Sequence, residues 1–346
     1  MFYLRSVSAS DLNDLYELSK MVTFINLPPD KKIIKKKIAH SLKSFEKSSK
    51  SDFAQNHFIF VLEDKDSGKV IGVSMIHSQH GTDDEPHFFL KVSQEYKYSQ
   101  TINTGFIHGT LKLGYETNGP TEIGGLVLHP DYRSHQERLG KQISFVRFLY
   151  MGLNPENFKE EVHSELMPPL DEHGNSPLWE AIGRRFLNMN YNDADVLSRN
   201  NKEFILSLVP SESIYLALLP MEARDAIGKV GDDTKPVKKM LEAVGFKYIN
   251  EVDPFDGGPH YRAKLKEIES IKSLMKVEIH PIDSLSEDET DEYMVQLPST
   301  KHKFFSAKVT GYLEEKKTST KLFVLKEEFK KLGPKRPFKT SIIEFN

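Results

Sequence analysis

The sequence predicts a mixed α/β fold of the α+β kind: a mainly antiparallel central sheet with flanking helices, a helical insertion, and a small β-rich C-terminal module. Three observations carry that expectation. β-prone runs alternate with stretches whose apolar residues fall at helical spacing. Two such runs, residues 57–63 and 70–76, are separated by Asp64 to Lys69, a turn of Asp, Ser and Gly that closes an antiparallel hairpin. The strand from Glu122 stops at Pro130, passes through a polar, basic loop and, after Gly140, enters a helix.

Taken in order, residues 2–7 are β-prone, and Ser10-Asp11 offers a cap before Leu12, Leu15, Leu18 and Val22, the inward face of a first helix. Pro28-Pro29 ends that segment. Residues 30–48 read as a second amphipathic helix with Ile33, Ile34, Ile38 and Leu42 inward. Its lysines (Lys31, Lys32, Lys35, Lys36, Lys37) suit an anion patch or a solvated face, and no function is assigned to them. Residues 86–116 hold short, irregularly punctuated β runs. The helix beginning at Lys141 runs to about Gly152 and buries Ile143, Phe145, Val146 and Leu149 beside Leu139. Residues 162–166 form a short strand, Ser176-Pro177 caps a helix through Phe186, and residues 193–232 form the helical insertion, broken at Pro210 and Pro220. Residues 237–244 are a helix ended at Gly245, as helix C-termini often are. Residues 1–275 are read as one domain and 276–346 as the β-rich module. Its β runs lie at 276–280, 303–310 and 321–325, with an acidic exposed loop at 284–292.

Composition narrows the function classes. Across 346 residues, Lys+Arg 47 against Asp+Glu 50 gives a net charge of −3, which argues against gripping a nucleic-acid backbone. Cys 0 removes thiol nucleophiles, disulfides and thiolate metal sites. Arg5, Asp11, Asp14 and Glu17 interrupt any signal-peptide core, and no run approaches the roughly 20 apolar residues of a membrane helix. A soluble cytoplasmic enzyme is expected. The 13 His show no His-Glu-x-x-His or similar spacing, so no metal site is expected.

The stretch around residue 140 carries the chemistry. A helix N-terminus presents unpaired amide N–H groups and the positive end of the helix dipole to an anion. Arg133, Arg138 and Lys141 add charges suited to phosphate oxygens, and Gly140 allows close backbone approach.

The order strand–helix–helix, antiparallel strands, strand–phosphate loop–helix and strand–helix resembles the GNAT acyltransferase superfamily, whose loop reads [QR]-x-x-G-x-[GA]. Arg138-Leu139-Gly140-Lys141 keeps the second glycine of that pattern, with Arg138 where the first would be. Longer motifs are similar to the arginine N-succinyltransferase family: EIGGLVLHPDYR from Glu122, LGKQISFVRFLY from Leu139, DEHGNSPLW from Asp171 with GRRF from Gly183, and DPFDGGP from Asp253. The likeness runs over residues 1–275 and more weakly through the tail.

The resemblance implies a GNAT-like fold, and direct transfer of succinyl from succinyl-CoA to the α-amino group of arginine without a covalent enzyme intermediate. No cofactor is bound permanently; succinyl-CoA is a co-substrate. The family's succinyl-CoA contact maps onto Leu126, and Leu126, Val127 and Leu128 would pair with the pantetheine arm through main-chain groups. The diphosphate would meet Arg133, Arg138, Leu139, Gly140 and Lys141. Glu122 and Glu165 are the candidates for the base, ahead of His129 and His163, on strands expected to line the cleft. Asp253 and Asp256 match a guanidinium fork, although Gly257-Gly258-Pro259 equally suits a tight turn. Arg184 and Arg185 suit a carboxylate or the surface. Trp179, where related folds carry a proton-donating Tyr, is a packing residue. The family's proton-donor His falls on Gly231, and residues 22–25 replace Gly-rich sequence. Those two departures keep open a different acceptor or acyl chain, or a non-catalytic CoA-binding partner subunit. Partners are small molecules, with a homodimer or a heteromer of paralogous subunits implied and neither nucleic acid nor membrane expected.

Overall fold

The computed structural model describes all residues except 22–26, 50–51, 199–201, 287–288, 317–318 and 346. The departure at residues 22–25 therefore lies outside the described residues. In chain order the elements are β1 (Phe2–Ser6), α1 (Leu12–Ser19), α2 (Lys31–Glu46), β2 (His57–Asp64), β3 (Lys69–His77), β4 (His87–Ser99), β5 (Thr104–Glu116) and β6 (Thr121–Leu128). There follow α3 (Leu139–Leu153), β7 (Glu161–Glu165), α4 (Pro177–Ala181), α5 (Gly183–Leu187), α6 (Tyr191–Ser198), α7 (Glu203–Leu208), β8 (Ile214–Tyr215), α8 (Met221–Ala226), α9 (Lys235–Ala243), β9 (Lys247–Val252) and β10 (Pro259–Lys264). The chain ends with α10 (Glu269–Lys272), β11 (Met275–Ile282), β12 (Asp291–Gln296), β13 (Phe305–Lys316), β14 (Ser319–Leu325), α11 (Lys326–Leu332) and β15 (Phe338–Glu344). Two compact units result, one of residues 1–78, 121–160 and 264–346, the other of residues 79–120 and 161–263.

In the first unit, β1, β2, β3 and β6 lie side by side, each antiparallel to its neighbour. The period of two along β2 sorts its side chains onto opposite faces. Ile59 and Val61 join Leu15, Leu18, Ile34 and Ile38 of α1 and α2 in one core. Phe58 and Phe60 instead meet Tyr150 of α3, at ring-centroid distances of 4.9 and 5.3 Å. The alternation thus builds a helix–sheet–helix sandwich. Arg5 of β1 ties the sheet to the turn before α1: buried, it donates to both carboxylate oxygens of Asp11 at 2.7 and 2.9 Å and to Glu63 at 2.6 Å.

β11 to β15 form a closed ring of strands. β12 pairs with β15 on one side and β13 on the other, and β11 and β14 complete the circuit. Val277, Ile279, Val295, Val309, Leu322 and Ile342 fill it. Strand β13 also pairs with β1, at Leu4↔Ser306, which places the ring in the first unit. The acidic loop expected at 284–292 ends inside β12, because Tyr293, Met294 and Val295 after it are buried. β15 had no counterpart among the expected strands.

The second unit has strand order β7-β10-β9-β4-β5-β8. Residues 86–116, expected as irregular short runs, form one long hairpin paired from His87↔Glu116 to Ser99↔Thr104. Its outer half carries exposed residues on both faces, so the one-sided alternation that marks a half-buried strand is missing. The insertion contains α6, α7 and α8, with the short strand β8 between the last two. Among the described residues no helix is long and apolar enough to cross a membrane.

Candidate active site

The first unit builds a strand, a bulge, a loop and a helix terminus. β6 shifts register against β3 between Val73↔Val127 and Met75↔Gly124. The extra residue is Gly125, with φ +57°, a backbone region that glycine enters without the steric cost a Cβ brings. A Cβ there would stand 2.9 Å from both Cγ and Sδ of the buried Met75. Arg147 of α3 ties the helix to this bulge. Its buried guanidinium donates to Ser144 O at 3.0 Å, to Ser144 Oγ at 2.6 Å and to Gly124 O at 3.5 Å. Burial lowers the Arg147 pKa to about 9, which leaves it cationic at neutral pH.

Leu126 to Leu128 lead from the bulge into the loop, where Ser134 and Arg138 take φ of 58° and 53°. The left-handed turn at Arg138 starts α3. Lys141 N and Gln142 N return to Arg138 O at 2.9 and 3.1 Å, while the amides of Leu139 and Gly140 precede the first intrahelical bond. Among the described residues, a Cβ on Gly140 would meet only Leu128 Cδ2 within 4 Å, at 3.9 Å, the rest of its own helix set aside.

The three loop cations are placed differently. Arg133 is exposed. Arg138 pairs with Glu292 of β12 and lies 4.9 Å over the Phe345 ring, so a carboxylate from far along the chain already answers its charge. Lys141 Nζ lies 4.7 Å from the Phe145 ring and 5.0 Å from Phe345. Burial first, and the charge of Arg138 second, lower the Lys141 pKa to about 8. Glu122 is buried on β6, opposite His77.

The second unit gathers a different set. Around Glu165 Oε1, at the end of β7, stand His163 Nε2 and His87 Nδ1 at 3.5 Å and His260 Nε2 and His80 Nε2 at 3.9 Å. His163 and His260 are fully buried and His87 nearly so, while the Glu165 side chain is 32% exposed. Burial drives the His260 pKa down to about 3, against the opposing pull of Glu165, and the His87 pKa well below its ordinary range. These rings are neutral at pH 7. Histidines with no local metal-ligand spacing in the sequence thus come together in the fold. Ligand atoms of His87, His163, Glu165 and His260 lie within 4.8 Å of one another. They come from β4, β7 and β10, which meet only through sheet pairing, and no local spacing announces them.

Asp253 and Asp256 shape a turn. Asp253 Oδ1 accepts from Phe255 N at 2.7 Å and Asp256 N at 3.0 Å, and Asp256 Oδ1 accepts from Gly258 N at 2.7 Å. Burial, then the charge of Glu165, raises the Asp253 pKa to about 7; burial, then Asp253, raises that of Asp256 well above the carboxylate range. Trp179 stacks on Phe255 with centroids 5.0 Å apart and donates from Nε1 to Met189 O at 2.9 Å. Arg184 pairs with Glu180 on the surface, Arg185 is exposed, and His129 Nδ1 accepts from Asp131 N at 3.3 Å.

Residues 2–270 match the family described as arginine N-succinyltransferase beta subunit. The chain belongs to the arginine N-succinyltransferase family. Proteins named arginine N-succinyltransferase from Shigella dysenteriae and Escherichia coli are each 32% identical over 282 residues, covering 81% of this chain and 80% of theirs. The structure titled arginine/ornithine succinyltransferase subunit AI from Pseudomonas aeruginosa superposes with a TM-score of 0.83 at 25% identity, covering 100% of this chain and 99% of that one. The fold is thus the GNAT-like, mixed α/β one that the resemblance implies. Gly231, where arginine N-succinyltransferases are expected to carry a histidine, donates from N to Met167 O at 2.9 Å. A Cβ there would stand 2.9 Å from Pro168 O, so a side chain at 231 requires the backbone to move.

Proposed function

We propose that this chain transfers the succinyl group of succinyl-CoA to the α-amino group of arginine. Family membership supports the reaction class, and the run from the Gly125 bulge to the α3 terminus carries the reading, because it offers main-chain groups and cationic charge in the order a CoA arm needs. Main-chain groups of Leu126, Val127 and Leu128 hold the pantetheine. The amides of Leu139 and Gly140, with Lys141 and Arg133, hold the diphosphate.

The amine nitrogen attacks the thioester carbonyl, the N–C bond forms, the C–S bond breaks, and the amine proton passes to a base. Backbone N–H groups beside the Gly125 bulge stabilise the oxyanion. We assign the base to Glu122, which sits on the same strand as the pantetheine run, four residues before Leu126 and so roughly 13 Å along it at about 3.3 Å per residue. A coenzyme A thiolate, whose conjugate acid titrates near about 8.5, departs with little acid help. Gly231 in place of a proton-donating histidine is therefore compatible with turnover.

Gly231 also favours a second reading, a CoA-binding partner subunit without catalysis of its own. Free-thiol release from succinyl-CoA, measured with arginine, ornithine, lysine and polyamines, separates the two. Turnover with arginine alone supports the first; CoA binding without turnover on any amine supports the second; failure to bind CoA refutes both.

A further inference from the structure

We propose that the second unit holds a divalent transition-metal ion of the zinc class between His87 Nδ1, His260 Nε2 and Glu165 Oε1, with His163 orienting the carboxylate. The argument begins with unmet hydrogen-bonding capacity. His260 is fully buried, and among the described residues neither of its ring nitrogens has a hydrogen-bond partner. Buried polar atoms without partners are rare because each forfeits its hydration, so His260 Nε2, 3.9 Å from Glu165 Oε1, calls for an occupant between them.

Burial favours the neutral form of an imidazole, and neutral imidazole is the form that binds metal. The distances suit an ion. With metal–nitrogen and metal–oxygen bonds of about 2.0–2.2 Å, ligand atoms of a tetrahedral site stand roughly 3.4 Å apart. His87 Nδ1 and His260 Nε2 stand 3.5 and 3.9 Å from Glu165 Oε1, so these two edges need a shift of only tenths of an ångström, and the ligand atoms all lie within 4.8 Å of one another.

His163 is assigned differently for a stated reason. Arg262 Nε donates to His163 Nδ1 at 3.2 Å, so the proton of the neutral ring sits on Nε2. That N–H lies 3.5 Å from Glu165 Oε1, where it orients the carboxylate instead of ligating. Arg262 is itself answered by Glu116 at 2.6 Å and Glu251 at 3.5 Å, which limits its repulsion of a cation. Two imidazoles and one carboxylate, with Glu165 reaching solvent, leave a fourth position for water or a small ligand, the ligand set of open zinc sites. Soft thiolate metals are disfavoured because the chain has no Cys.

The test uses the full-length protein, stripped with a chelator and titrated calorimetrically with ZnCl2, with CoCl2 as a spectroscopic probe. One ion per chain is expected, together with visible cobalt bands of low-coordinate nitrogen–oxygen ligation. His87→Gln, His260→Gln and Glu165→Gln should each weaken binding by at least about 100-fold, and His163→Gln by roughly 10- to 100-fold, as orienting partners of metal ligands do. His173→Gln, on an exposed loop, serves as the unaffected control. Far-ultraviolet circular dichroism checks that each variant is folded. Should one ligand variant fail to fold, zinc must still raise the thermal midpoint of the parent and of His173→Gln and leave that of the other two ligand variants unmoved. Absence of saturable zinc binding to the parent, or zinc affinity unchanged in folded His260→Gln and His87→Gln, overturns the proposal. Neither result bears on CoA binding at the start of α3, which rests on the first unit.

Discussion

Gly140→Ala separates the folding role of the loop from its binding role, because the two effects have opposite signs. Gly140 is the second residue of α3, its φ is not left-handed, and a Cβ would meet Leu128 Cδ2 at an ordinary 3.9 Å. Alanine therefore fits without strain and restricts the unfolded chain, which stabilises the free protein by about 0.4–1 kcal/mol. The same methyl projects into the space where a phosphate approaches the first amides of α3. Displacing the diphosphate from one charge-assisted hydrogen bond costs about 1.5–3 kcal/mol, or roughly 10- to 150-fold in CoA affinity at about 1.4 kcal/mol per decade. Urea midpoints of the free protein and calorimetric titration with CoA read the two quantities on the same sample. A variant that binds CoA as tightly as the parent refutes the loop as the diphosphate site. A variant that loses stability refutes the account of Gly140 as an unstrained helical residue.

Three further outcomes are expected. Gly125→Ala places a Cβ in the left-handed region and 2.9 Å from Met75, so it should cost about 2–4 kcal/mol in urea denaturation from backbone strain and overpacking together; an unchanged midpoint would show that the bulge relaxes freely. CoA affinity should weaken as pH rises through about 8, since Lys141 titrates there in the free protein and its charged form is the one that attracts phosphate; in Lys141→Met that pH dependence should vanish from calorimetric affinities. Glu122→Gln keeps the volume of a buried side chain but removes its basicity, so turnover should fall by about 100- to 10,000-fold with CoA affinity unchanged; kcat within a few-fold of the parent would move the base elsewhere.

Much of the fold is legible along the chain because its signals are local. The hairpin β2–β3 announces itself through Asp64-Lys65-Asp66-Ser67-Gly68 between two apolar runs. The strand–loop–helix of the first unit follows from Pro130, Gly140 and the apolar spacing of α3. The β4–β5 hairpin escaped because its outer residues, Tyr96 and Ile107 on one face and Lys97 and Phe106 on the other, are all exposed and present no alternation. Strand β12 was hidden beneath the acidic run that precedes it.

By itself the sequence determined the class of fold, the family, and the helix terminus that suits a diphosphate, since each depends on residues within one turn or one strand of each other. The tertiary structure alone decided that Arg138 is answered by Glu292, and that Asp253 and Asp256 spend oxygens on turn amides. It alone decided, too, that His87, His163 and His260 meet around Glu165. Such meetings depend on which strands pair and what they bury, and hydrogen-bonded pairing between distant segments leaves no period in the chain to read.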